Sequence, residues 1–183
     1  IVVERQGRKI GIVGLANEET PSLASPCKEA RFSPAETALR EAAASLRAQG
    51  VDIIIALTHL GLDADCALAE RVEGVDVFVG GHTHSLLSNT APKAAGPYPI
   101  VKRSPSGEPV LIVTAASSCK LLGHITVDFN DTGVARRWNG EPIVLDGRNV
   151  TVPPDAELSA RLEGYAAQLR SLIGQPVGKI LLA

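Results

Sequence analysis

Three of the four histidines in this 183-residue chain follow short apolar runs. His59 closes the run Val51-Asp52-Ile53-Ile54-Ile55-Ala56-Leu57-Thr58, and His82 and His84 follow Val75-Asp76-Val77-Phe78-Val79 across Gly80-Gly81. Neutral imidazole is the commonest protein metal ligand, and a His-x-His pair on a loop can place both rings in one site. Two consecutive glycines let the backbone turn sharply and come close to a ligand. A lone histidine after a strand is more often an ordinary surface or core residue. Here the strand-then-histidine pattern occurs twice and ends in a double glycine, which favours a shared site for zinc or another borderline transition metal.

The surrounding elements explain how such residues could meet. A capping-box pattern, Ser33-Pro34-Ala35-Glu36, with Pro at the first helical position and apolar residues at Ala35, Ala38, Leu39, Ala42 and Leu46, predicts a helix to about Gln49. A buried strand over 51–57, a helix from about Ala64 to Glu73 and a second buried strand over 75–79 then form a β-α-β unit. Parallel strands put their C-terminal ends along one sheet edge, where open α/β sheets build their sites. His59, His82 and His84 all belong at that edge. Asp63 or Asp65 is expected to cap the second helix, with support of His59 as the alternative role.

The flanks read as β structure. Ile1 to Glu4 and Lys9 to Leu15 predict a hairpin turning at Arg5-Gln6-Gly7-Arg8, and a polar loop without periodicity runs from Asn17 to Arg31. Ile100 to Lys102 and Val110 to Ala115 flank a turn at 104–107, and Ile125, Val127 and Phe129 alternate as a half-buried antiparallel strand returning toward Trp138. His124 fits a surface or structural role and the pairs Lys102-Arg103 and Arg136-Arg137 fit solvated strand ends, while the loop Ser117-Ser118-Cys119-Lys120 reads first as structural filler and second as a border of the site. Leu158, Leu162, Tyr165, Leu169 and Leu172 repeat at helical spacing.

Composition narrows the class. With 45% hydrophobic residues, 3% aromatic residues and a net charge of -2, nucleic acid is not an expected partner. No apolar run reaches the ~20 residues of a membrane span. Cys27, Cys66 and Cys119 are odd in number and widely spaced, which fits free thiols. The chain holds no Met and opens in the middle of a β pattern, so a fragment of something longer is expected.

Thr58-His59-Leu60-Gly61-Leu62-Asp63-Ala64-Asp65 and Gly80-Gly81-His82-Thr83-His84 resemble the third and fourth blocks of the calcineurin-like metallophosphoesterases. More narrowly, Gly11-Ile12-Val13-Gly14-Leu15 with Glu19-Thr20-Pro21, Asp76 to Leu86, Tyr98-Pro99-Ile100-Val101 and Leu121-Leu122-Gly123 look like the bacterial and ecto-5'-nucleotidases. The resemblance implies an α/β fold: over 1–145, the C-terminal half of a metallophosphoesterase α-β-β-α sandwich with mixed sheets. Residues 146–183 would be a linker and connector helix toward an absent substrate-binding domain. It also implies two divalent metal ions, zinc or manganese, with His59 and His82 on one and His84 on the other, activating a water against a nucleotide or related phosphate ester. The earlier ligand blocks of that family, with their aspartates, asparagine and catalytic histidine, have no counterpart in residues 1–58. No catalytic acid or base and no substrate-binding residue is therefore assigned, and this chain alone is expected to be inactive. A periplasmic or extracellular location follows from the same resemblance. The competing expectation is a noncatalytic metal- or partner-binding module that keeps the fold and lacks the first ligand blocks.

Overall fold

The computed structural model describes residues 1–25, 29–145 and 154–173. They fall in two units, Ile1–Asp146 and Gly147–Ala183. The first opens on the expected hairpin, β1 (Val2–Arg5) and β2 (Arg8–Leu15), turning through Gln6-Gly7. A one-turn helix, α1 (Thr20–Leu23), interrupts the stretch expected to be loop, with Pro21 in its first turn, where a missing N–H does no harm. Then come α2 (Ala35–Ala48), β3 (Ile53–Thr58), α3 (Leu62–Arg71), β4 (Val77–Val79), β5 (Ile100–Arg103) and β6 (Pro109–Val113). Four short strands close the unit: β7 (Leu121–Leu122), β8 (Ile125–Phe129), β9 (Ala135–Gly140) and β10 (Ile143–Val144).

The main sheet is mixed, in the order β1-β2-β3-β4-β6-β5. Its central strands β2, β3, β4 and β6 run parallel, and the edge strands β1 and β5 run antiparallel to their neighbours. The near-continuous apolar runs become the buried centre. On one face Leu39, Ala43 and Leu46 of α2 and Leu68 and Ala69 of α3 pack against Ile54, Ala56, Phe78 and Ile112. On the other, the β8–β9 hairpin lays Ile125, Val127, Phe129 and Trp138 over Ile55, Val77 and Leu111. Helix layer, mixed sheet and second β layer give the expected α/β sandwich.

Two helix starts differ from the sequence reading. Ser33 makes no side-chain cap on α2, and Pro34 is the N-cap residue rather than the first helical one. The free N–H of Ala35 donates instead to Glu18 Oε1 at 2.6 Å, so the cap comes from a distant loop. Helix α3 begins at Leu62, with Gly61 as its N-cap residue and no side-chain cap, so neither Asp63 nor Asp65 caps it. His124 is exposed just before β8. Lys102 pairs with Glu70 and Arg137 with Asp128. Cys66 and Cys119 are free thiols, while Cys27 lies outside the described residues.

In the second unit α4 spans Ala156–Ile173, started by Asp155 Oδ1 accepting from the Leu158 N–H at 2.8 Å. Leu158, Leu162, Tyr165 and Leu169 are all exposed along it. Most of the expected linker, residues 146–153, and the side chain of Leu172 lie outside the described residues. No helix among the described residues is long and apolar enough to cross a membrane.

The matched strand openings Gly50-Val51-Asp52 and Gly74-Val75-Asp76 are tied together by one side chain. Arg47, in the last turn of α2, donates to the carbonyls of Val51, Asp52 and Gly74 and to Asp76 Oδ2. The same Asp76 oxygen accepts from Ile54 N–H at 2.7 Å, joining the entry of β4 to the start of β3. Burial pushes the Asp76 carboxyl from 3.8 up to about 6, against the pull of the Ile54 N–H and Arg47. Because that value is raised on folding, Asp76's contribution to stability is complete below about pH 4 and is lost as pH rises through about 6. Arg47 offsets part of that loss only while Asp76 is ionised. Arg47→Ala is therefore expected to destabilise the fold by on the order of 2–3 kcal/mol at about pH 7.5. The deficit should shrink at about pH 5, as read from urea midpoints at both values.

Candidate metal centre

Parallel register brings the two histidine loops level. Ile55, Ala56 and Leu57 of β3 stand opposite Val77, Phe78 and Val79 of β4, so both strands release their chains at the same sheet edge. Each loop is held to the ladder for one more residue, His59 N–H donating to Leu15 O at 2.9 Å and Gly80 N–H to Val113 O at 2.8 Å. The second loop then lies down on the first. A Cβ on Gly80 would collide with Asp65 Oδ2, and one on Gly81 would sit 3.1 Å from His59 Nδ1. Only a chain without side chains passes there.

Thr83 fastens the arrangement. Its hydroxyl accepts from the Leu62 N–H at 3.3 Å and lies 2.9 Å from Ser85 Oγ, joining the start of α3 to the histidine loop. His82 and His84 both adopt positive φ, 79° and 54°. Left-handed backbone at a non-glycine residue costs roughly 1–2 kcal/mol, and such strain persists where surrounding structure imposes it. The loop before β7 leans on the same place, since Ala116 N–H donates to Ser85 O at 3.0 Å.

The rings of His59 and His82 meet edge to face, with centroids 5.2 Å apart and planes at 65°. His59 is exposed and His82 half-buried. His84 is exposed and does not join them: among the described residues, no three His, Cys, Asp or Glu gather closely enough to hold an ion. Two imidazoles on one tetrahedral ion at about 2.0–2.1 Å have ring centres roughly 5 Å apart, so the observed pair fits half of a zinc-like site.

Asn17, in the polar stretch after β2, touches the centre. Its Oδ1 accepts from the Glu19 N–H at 2.8 Å, which fixes the amide's orientation, and its Nδ2 donates to His82 Nε2 at 3.0 Å. The neutral His82 ring therefore carries its proton on Nδ1. An ion on Nε2 must displace Asn17, and one on Nδ1 requires the proton to move to Nε2 and the amide to turn. A groove of about 570 Å³ opens beside this contact, lined by Asn17, Glu19, Leu60, Ala64, Arg71 and Thr83 among others.

The chain is similar to known proteins across almost its whole length. It is 35% identical to the snake venom 5'-nucleotidase of Naja atra over 185 residues, covering 99% of this chain. It is 36% identical to the 5'-nucleotidase of Rattus norvegicus over 180 residues, covering 96%. The crystal structure of a 5'-nucleotidase precursor from Thermus thermophilus superposes with a TM-score of 0.88 at 33% identity over 98% of this chain. This chain belongs to the 5'-nucleotidase family. It spans 34% of the Naja atra relative, 31% of the rat relative and 36% of the Thermus chain. A calcineurin-like phosphoesterase from Bacillus subtilis shares the fold, with a TM-score of 0.70 at 18% identity. No family model matches the chain.

In this 5'-nucleotidase-family chain the two glycines have different neighbours and so different tolerances. Gly80→Ala forces a Cβ into a buried carboxylate and is expected to cost about 1–3 kcal/mol in chemical denaturation. Gly81→Ala crowds only the movable His59 ring, meeting the Thr58 carbonyl at an ordinary 3.7 Å, and is expected to cost less than half as much.

Proposed function

We propose that this chain is part of a metal-dependent phosphohydrolase of the 5'-nucleotidase type, acting on phosphate esters of nucleotides. The observation that carries the reading is the His59–His82 pair, set 5.2 Å apart where two adjacent parallel strands end. In this reading His59 and His82 hold one divalent ion, zinc or manganese, and His84 contributes to a second. The bound ions would supply an activated water and offset charge on the phosphoryl oxygens. The chain's own part is to present an exposed and a half-buried imidazole at the sheet edge, with Asn17 and Thr83 orienting the loop, and to leave the acid–base work to groups outside these residues.

The donors that complete both ion sites and the surface that grips the nucleotide belong, in this reading, to parts of the same protein beyond these 183 positions. The curated relatives, about three times as long as the matched segment, support that division. The venom relatives also support a secreted or periplasmic setting. One observation favours the alternative of a noncatalytic metal- or partner-binding module: among the described residues no third His, Cys, Asp or Glu gathers with the pair.

Calorimetric titration of this chain with zinc separates the readings. Weak binding of one ion is expected, weakened roughly tenfold or more by either His59→Ala or His82→Ala and much less by His84→Ala. Hydrolysis of AMP by this chain is expected to stay at the metal-only background and to appear once the full-length protein is assayed. Full-length protein without phosphatase activity would favour the noncatalytic module, and rapid turnover by this chain would overturn the division of labour.

A further inference from the structure

Asp65 is the least solvent-exposed ionisable residue among the described residues, at 1% exposure. It lies on the inward side of α3, which also carries buried Leu68 and Ala69. Its Oδ2 accepts from Thr58 Oγ1 at 2.8 Å, while Oδ1, equally buried, has no hydrogen-bond partner. Asp76, the other buried aspartate, has Arg47 beside it at 3.0 Å, but among the described residues no ion pair reaches Asp65. A carboxylate buried on these terms lowers stability, and asparagine would satisfy the Thr58 hydroxyl without it.

The position of this charge is specific. Asp65 Oδ2 occupies the space a Cβ on Gly80 would take, and a Cβ on the next residue, Gly81, would sit 3.1 Å from His59 Nδ1. The Thr58 hydroxyl that meets the carboxylate belongs to the residue just before His59. One buried, unpaired negative charge therefore underlies both loops that deliver the paired imidazoles.

We propose that Asp65 is a positioning residue and buried counter-charge for the His59–His82 pair, favouring a cation there at the expense of fold stability. This rests on the reading that the pair binds a divalent ion. A buried charge is felt over several ångströms even where solvent reaching the exposed His59 weakens it, so an anion beneath two neutral ligands raises their affinity for a dication without touching it. Burial lifts the Asp65 carboxyl to about 6, which leaves it ionised at neutral pH. A dication bound to neutral imidazoles nearby would offset the cost of that charge.

The test compares the chain with its Asp65→Asn and Asp65→Ala variants at about pH 7.5, reading urea midpoints in chelator and zinc affinity by competition with a chromophoric chelator. Asp65→Asn keeps an acceptor for Thr58 and nearly the same volume. It is expected to be at least as stable as the unaltered chain and to bind zinc about tenfold more weakly. Asp65→Ala also removes the charge but leaves a void, so it should be less stable yet bind with the same weakened affinity. Unchanged affinity in both variants, or affinity that simply follows stability across the three chains, would overturn the proposal. Absence of zinc binding by the unaltered chain would instead overturn the metal reading on which it rests.

Discussion

The whole arrangement at the sheet edge depends on one close approach: Gly80 passes so near the buried Asp65 carboxylate that no Cβ fits between them. That contact lowers the second histidine loop onto the first. Gly81, where a Cβ would sit 3.1 Å from His59 Nδ1, keeps that loop clear of the His59 ring, and the following residue, His82, meets the ring edge to face. The parallel register of β3 and β4 supplies the level platform, and Arg47 secures it at the opposite end by joining the entries of the same two strands. Sheet, helix and loop thus converge on a separation between two imidazoles that a single tetrahedral ion can span.

Each end of that platform buries an aspartate, and the two are handled differently. Asp76 is surrounded by donors, with the Ile54 N–H and the Arg47 guanidinium both reaching its Oδ2. It therefore works as a structural joint, and its carboxylate is partly balanced. Asp65 has one hydroxyl and an orphaned oxygen. Burial raises both carboxyls to about 6; at Asp76 the Ile54 N–H and the Arg47 cation offset part of the cost, and at Asp65 only the Thr58 hydroxyl does. The imbalance falls at the strand ends, beside the paired imidazoles, rather than at the strand entries, where the structure only has to hold.

Much of this was legible in the residues themselves. The runs 51–57 and 75–79 announced buried parallel strands by their unbroken apolar character, and the repeated strand-then-histidine pattern placed His59 and His82 at one edge. What stayed hidden were contacts between residues far apart in sequence. Ser33 and Glu36 matched a capping box, but the Ala35 N–H found Glu18, a partner that no local pattern could disclose. Asn17 reaches His82 across 65 positions. The aspartates at the start of α3 looked like caps because such residues usually are, whereas the helix already starts at Leu62 and draws Asp65 into the core. His84 shared a motif with His82 yet stands apart from the pair, because spacing in sequence does not decide where a left-handed backbone sends the next side chain.

A single ion shared by His59 and His82 is the central claim. Nitrogen-15 NMR of the imidazole rings during zinc addition tests it most directly, because each ring nitrogen reports its own protonation and ligation. One nitrogen of His59 and one of His82 are expected to shift together, with a single midpoint and saturation at one equivalent. The Asn17 amide resonance should move with them as its contact to His82 Nε2 is broken or turned. Zinc that perturbs only one of the two rings, or that titrates them with separate midpoints, would contradict a shared ion.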